Sequence, residues 1–135
     1  MNESVTIKSP MGDRSLTFRE PEGDYFSVAL DGTDCSACLR VYANTDQRGL
    51  VALFASMAEE WRGWEGEKSW CSLEGEFKLH ATSDSLGHVA LRVVFTNANL
   101  GPSEPWRVEA TLLTEAGRLE GLRSEVAALF RGVSG

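Results

Sequence analysis

Apolar and polar residues alternate along most of this chain, and two stretches break that rhythm with a helical one. Alternation of period two marks strands with one face buried, and spacing at i, i+3, i+4 and i+7 marks an amphipathic helix. The segment Val5 to Lys8 alternates, and Ser9-Pro10-Met11-Gly12-Asp13 supplies turn residues. Ser15 to Glu20 alternates again, with Leu16 and Phe18 on one face, so the two segments predict a hairpin. A second turn at Glu22-Gly23-Asp24 leads into Tyr25 to Leu30, where Phe26, Val28 and Leu30 share a face. Asp31-Gly32 then predicts a two-residue type I′ turn, which needs positive φ at both central positions. The returning strand runs from about Cys35 to Tyr42. Cys35, Ala37, Leu39 and Val41 lie on one side, with Cys38, Arg40 and Tyr42 on the other.

A helix follows. Asn44, Thr45 and Asp46 each suit its N-cap, where a side-chain oxygen accepts from a free backbone N–H. Leu50, Leu53, Phe54, Met57, Ala58 and Trp61 form its apolar face, and Gly63 or Gly66 ends it. From Cys71 to Ala81 the period returns to two. Cys71, Leu73, Phe77, Leu79 and Ala81 face inward, and Ser72, Glu74, Glu76, Lys78 and His80 face outward. Ser83 to Gly87 reads as a turn. Val89, Leu91, Val93 and Phe95 then form the inner face of the next strand, opposite His88, Ala90, Arg92, Val94 and Thr96. After a loop from Asn97 to Pro105, Trp106 to Leu113 is a last strand. A second helix spans about Glu115 to Arg131, with Leu119, Leu122, Val126, Leu129 and Phe130 at helical spacing. Gly121 inside it suggests close packing on a neighbour, since glycine otherwise weakens a helix.

The order ββββαβββα predicts one α+β domain over residues 1–135. Its expected form is a curved, mainly antiparallel sheet of about seven strands with both helices on one face. Glu74, Glu76, Lys78, Arg92, Arg107 and Glu109 then lie on a wet outer face.

The densest local feature is W-R-G-W-E-G-E-K-S-W, which places Trp61, Trp64 and Trp70 around two glycines. As structure, Trp61 packs the last helical turn while Trp64 and Trp70 clamp the chain onto the sheet. As function, Trp61, Arg62, Trp64, Glu65 and Trp70 form an interaction surface, since tryptophan and arginine are enriched at binding hot spots.

Composition narrows the picture. The net charge of −7 disfavours nucleic acid and anionic membranes, because phosphates repel such a surface. No apolar run spans a bilayer, the first residues lack a secretory pattern, and three cysteines form no disulfide framework; a cytoplasmic location follows. Cys35 and Cys38 make a lone C-x-x-C on opposite faces of a strand, with Cys35 in the core and Cys38 at the surface. Neither G-x-G-x-x-G nor a P-loop nor G-x-S-x-G occurs, so no catalytic residue, cofactor or metal is assigned.

Two constellations have a sharper and a blander reading. His80 and His88 sit on one outer face if Thr82 pairs with His88 and His80 with Ala90. With Asp84 in the turn they form a polar cluster of the residue types that hold zinc. The blander reading is two solvated histidines at a hairpin tip. Glu74 and Glu76 lie about 6–7 Å apart if the strand is extended. Glycosidases use carboxylates at such separations, but Lys78 and Arg92 stand close enough to neutralise a solvated pair.

The tryptophan run, the later A-T-S-D-S-L-G-H-V-A-L-R-V and the C-terminal L-x-x-L-R-x-E-V-x-x-L-F together resemble a family of small uncharacterised bacterial proteins, a domain of unknown function. The likeness runs from about Leu50 to Phe130. It rests most on Trp61, Gly63, Trp64, Gly66 and Trp70, and on Asp84, Gly87, His88 and Val89. It implies a bacterial, cytosolic domain and no known activity. In size and acidity the chain also resembles immunity proteins that neutralise bacterial toxins, a likeness of class without a motif. The function expected is a non-catalytic interaction module with a protein partner, a basic one if the acidic surface steers it. The alternative is a small-molecule binder or enzyme with a pocket between sheet and helices, His80, Asp84 and His88 near its mouth. A third reading is a homodimer through an exposed sheet face or edge.

Overall fold

The computed structural model describes residues 4–10, 12–43, 47–97 and 104–131. The described residues form strands β1 (Ser4–Lys8), β2 (Ser15–Glu22), β3 (Tyr25–Asp31) and β4 (Ala37–Tyr42), then helix α1 (Gln47–Glu59). Strands β5 (Lys68–Cys71), β6 (Phe77–Ser83), β7 (His88–Asn97) and β8 (Trp106–Glu115) follow, and a 3-10 turn leads into helix α2 (Leu119–Arg131). The α+β class and both helices stand as expected, and the inner positions of α2 are all buried. The N-cap residues 44–46 lie outside the described residues.

The single seven-stranded sheet is corrected to two four-stranded sheets. Both are antiparallel meanders, in the orders β1-β2-β3-β4 and β5-β6-β7-β8. Helix α1 carries the chain from one to the other. The extra strand is β5. A continuous strand from Cys71 to Ala81 was expected, but the chain turns back between them, and Trp70 pairs with Leu79 and Cys71 with Lys78. Gly75 takes φ +76 in that turn. Ser72 is buried there, donating from Oγ to Glu76 Oε1 at 2.8 Å and accepting from the Phe77 N–H at 3.2 Å. Parity does not carry through a turn. So Trp70 points into the core, while Cys71 and Leu73, expected inside, are exposed, and Ser72, expected outside, is not.

The sheets share one core with the helices. Phe18 on β2 meets Phe77 on β6 at 6.0 Å and Phe54 on α1 at 6.1 Å. Phe26 on β3 meets Trp70 on β5 at 6.0 Å and Phe130 on α2 at 5.3 Å. These ring contacts join both sheets and both helices in that core. The sheets are also tied at the surface. Arg14, beyond the first turn, donates to the Thr111 carbonyl on β8 at 2.9 Å, and Ser9 Oγ accepts from the Leu113 N–H at 3.4 Å. Both contacts join the first sheet's side of the molecule to β8.

Three smaller expectations change. Gly32 is not in the left-handed region, so the type I′ turn does not form, and β4 begins only at Ala37. The loop between is held instead by Asp13, which accepts from the Thr33 N–H at 2.7 Å, and by an Arg14–Asp34 ion pair at 3.0 Å. Val94, on the outer face by alternation, is nonetheless buried. A Cβ at Gly121 would meet nothing within 4 Å, so that glycine serves no close packing.

Candidate functional site

The tryptophan segment begins where α1 stops. The helical pattern ends with the Glu60 N–H donating to the Ser56 carbonyl at 3.1 Å, after which the Gly63 N–H donates to the Glu60 carbonyl at 2.8 Å. Gly63 then takes φ +123, a conformation L side chains rarely adopt. The helix thus stops at Glu59, short of the expected Gly63 or Gly66, with Gly63 closing the turn that follows, and this changes the place of Trp61. The ring falls beyond the last helical turn rather than against it, and stays 52% exposed. The Arg62 guanidinium lies 5.1 Å from its centroid. Trp64 is half-buried and does clamp the corner to the sheet, its Nε1–H donating to the Ala81 carbonyl of β6 at 3.2 Å. Lys68 Nζ sits 5.4 Å over that ring and donates to Ser56 Oγ and Glu60 Oε2, both at 2.7 Å. Trp70 is only 6% exposed, a core residue, so it leaves the expected interaction surface.

The second stretch is the β6–β7 turn. Asp84 organises it. Its Oδ1 accepts from the N–H of Leu86 at 2.8 Å and of His88 at 2.9 Å, and its Oδ2 lies 2.9 Å from His88 Nδ1. The His88 N–H, then the His88 ring, hold the Asp84 carboxyl below the usual aspartate range. Gly87 takes φ +90, and its carbonyl accepts from the Ala116 N–H at 2.9 Å.

These two stretches meet. A Cβ on Gly63 would lie 3.2 Å from the Asp84 carbonyl and 3.5 Å from Ser83 Oγ, so the missing side chain lets the corner close onto the turn. Between them opens a groove of about 550 Å³, lined by Glu60, Arg62, Gly63, Trp64, Glu65, Ser83, Asp84 and Ser85. Two large apolar side chains stand exposed in the same two stretches, Trp61 and the 79% exposed Leu86. Sequence reading singled out both stretches but not their contact. It missed Glu60, Ser83, Ser85 and Leu86, whose types are ordinary in helix ends and turns.

The expected polar cluster separates. Thr82 pairs with Ala90 and His80 with Arg92, two residues off the expected register. His80 and His88 therefore lie about 13 Å apart along the strand direction. His88 keeps Asp84. His80 Nδ1 is buried, lies 3.2 Å from Glu67 Oε1 and makes no hydrogen bond among the described residues. Among the described residues no three His, Cys, Asp or Glu side chains are grouped to hold a metal.

Glu67 starts a chain of charges across the outer face. It meets Arg92 at 3.1 Å, Arg92 meets Glu109 at 3.3 Å, and Glu109 meets Arg107 at 2.9 Å. Arg92 is therefore engaged elsewhere and does not neutralise Glu74 or Glu76. Those two carboxylates flank Gly75 in the β5–β6 turn and line a groove of about 460 Å³ with Leu39, Arg40, Thr96 and Asn97. All three cysteines are free thiols, Cys35 partly buried and Cys38 exposed.

Compared with known families, the chain matches a family of unknown function, DUF6228, over residues 7–133. It belongs to that family. The matched span includes both walls of the groove, so the site lies wholly within the family's extent. No curated protein matches the chain. No helix among the described residues is long and apolar enough to cross a membrane.

Proposed function

We propose that this member of DUF6228 is a non-catalytic protein-interaction module, and that it binds through the tryptophan corner and the groove beside it. The observation that carries the reading is Trp61. The fold buries Trp70 and pins Trp64, yet leaves Trp61 more than half exposed beside a concave surface. A large ring left outside a well-packed frame is the usual anchor of a binding hot spot. Its surroundings are rigid: Gly63 packs on the Asp84 turn, Trp64 is bonded to β6, and Lys68 ties the corner to α1. A preorganised surface loses little freedom on binding. The net charge of −7 suits a basic protein partner, because opposite charge speeds encounter. Neutralising a basic toxin in the cytosol of a bacterium is a role of that kind.

The test is capture of a partner from native lysate with the tagged chain, followed by affinity measurement with purified components. Trp61→Ala removes an exposed side chain and leaves the fold intact. It is expected to weaken binding by about fivefold or more, the mark of a hot spot above ~1 kcal/mol. Binding is also expected to weaken as salt rises. Equal affinity for Trp61→Ala and the parent chain overturns the reading.

A further inference from the structure

We propose that the open edge of β4 takes an extended segment of a partner protein as a fifth strand, seated in the groove between that edge and the β5–β6 turn. On an outermost strand, alternate residues turn their backbone N–H and C=O groups away from the sheet. β4 is outermost in the first sheet, and among the described residues no backbone hydrogen bond joins Ala37 to Val41 to any strand but β3. The other outermost strands each have a neighbour. α2 packs against β1 and α1 against β5, while β8 meets the Ser9 and Arg14 side chains with its backbone. The sequence of β4, A-C-L-R-V-Y, also lacks the proline, lysine or bulge that keeps edges from pairing. The irregularity of this sheet lies in β2 instead, between Arg19 and Glu22.

The groove beside this edge holds about 460 Å³ and has two walls. Leu39 and Arg40 form the near one; Glu74 and Glu76 in the turn, with Thr96 and Asn97 at the end of β7, form the far one. Two walls admit a lone strand. A second copy pairing through its own β4 would bring β3 behind it, into the far wall, and two chains of net charge −7 repel. Leu39 lies on the inner face of β4 and is only half-buried, so it offers a cross-strand contact to an apolar, β-branched residue. The segment's other edge turns its own N–H groups to the far wall. There Glu74 is exposed, with neither a hydrogen bond nor an ion pair among the described residues, and can accept them. Arg40, the one cation in the lining, is already engaged by the Glu20 carbonyl at 2.6 Å and Ser27 Oγ at 3.0 Å. In pairing of this kind the backbone supplies affinity and the alternate side chains choose the register. The surface shares no residue with the groove at the tryptophan corner, so the proposal stands whether or not binding there holds.

The probe is acetyl-Thr-Val-Thr-Val-Thr amide, an extended segment with neutral side chains, titrated into the full chain while backbone signals are followed by NMR. The signals of Ala37 to Val41 are expected to shift saturably and those of the tryptophan corner to stay in place. The outward amides of β4 are expected to exchange more slowly. Two N-methylated analogues read the mode of binding. Alternate N–H groups of a strand point to opposite edges, so methylating both valines blocks one edge and methylating two threonines blocks the other. One analogue is expected to lose binding about tenfold or more, and the other to stay within about threefold of the parent peptide. Leu39→Ala is expected to weaken the parent peptide about two- to fivefold, the scale of one cross-strand pair. Equal behaviour of the two analogues, or shifts that miss β4, overturns the proposal. A dimer of the parent chain in sedimentation that dissociates as the peptide is added overturns it in favour of a second copy.

Discussion

Single residues decide whether the two halves of the site meet. Gly63 combines a positive φ with a neighbouring carbonyl where its side chain would be. Gly63→Ala is expected to cost about 1–3 kcal/mol, from strain plus displacement of the Asp84 turn, measured by urea denaturation. Gly121 is the opposite case. It lies exposed inside α2 with open space around it, so Gly121→Ala is expected to stabilise by about 0.5–1 kcal/mol in the same assay. Asp84 sets an acid limit. Its carboxyl is depressed in the folded chain, chiefly by the His88 N–H, so its contribution is present above the ordinary aspartate value of 3.8. That contribution is lost as pH falls below 3.8 through the folded value. Asp84→Asn is expected to flatten the fall in stability below pH 3.8, read from denaturation midpoints across an acid series.

At the scale of elements, periodicity was a good guide within strands and a poor one across turns. Val89, Leu91, Val93 and Phe95 alternate and are all buried as read, because β7 is uninterrupted. Cys71 to Ala81 also alternates, yet hides a hairpin. Its turn residues, Leu73-Glu74-Gly75-Glu76, mimic a strand's rhythm, and Gly75 was the one hint. Reading through that turn put Cys71 and Leu73 inside and Ser72 outside, the reverse of where they lie. The His80–His88 register failed for a related reason: loop length fixes pairing, and Asp84 builds a turn that pairs Ser83 with Val89. Of the site, the corner and the turn were each legible as motifs. Their contact was not, because it depends on how α1 packs against α2 and β5, which no local pattern encodes. Ser72 tests the overlooked hairpin. Ser72→Ala strands the Phe77 N–H and is expected to cost about 1–2 kcal/mol by thermal or urea unfolding.

For the molecule as a whole, two separate meanders behave as one body because their aromatic residues interlock. Phe77 touches Phe18 in the other sheet and Trp70 and Phe95 in its own. Phe77→Ala is expected to cost about 3–5 kcal/mol and to leave one cooperative transition, with signals from both sheets moving together. Two resolved transitions in the parent chain would show that the sheets unfold independently. The division of surface follows from the same architecture. The outer face of the second sheet satisfies its own charges from Glu67 to Arg107. In the groove at the end of α1, Glu60 is paired with Lys68, while Asp84 is held by backbone N–H groups and His88.

The unequal burial of the tryptophans gives the molecule a built-in optical reporter. Trp61 should emit toward the red and be extinguished by dissolved acrylamide, while Trp70, sealed among phenylalanines, should emit toward the blue and resist it. A ligand seated at the corner would shield the first and leave the second unchanged, so occupancy can be watched without a dye, a label or an engineered residue.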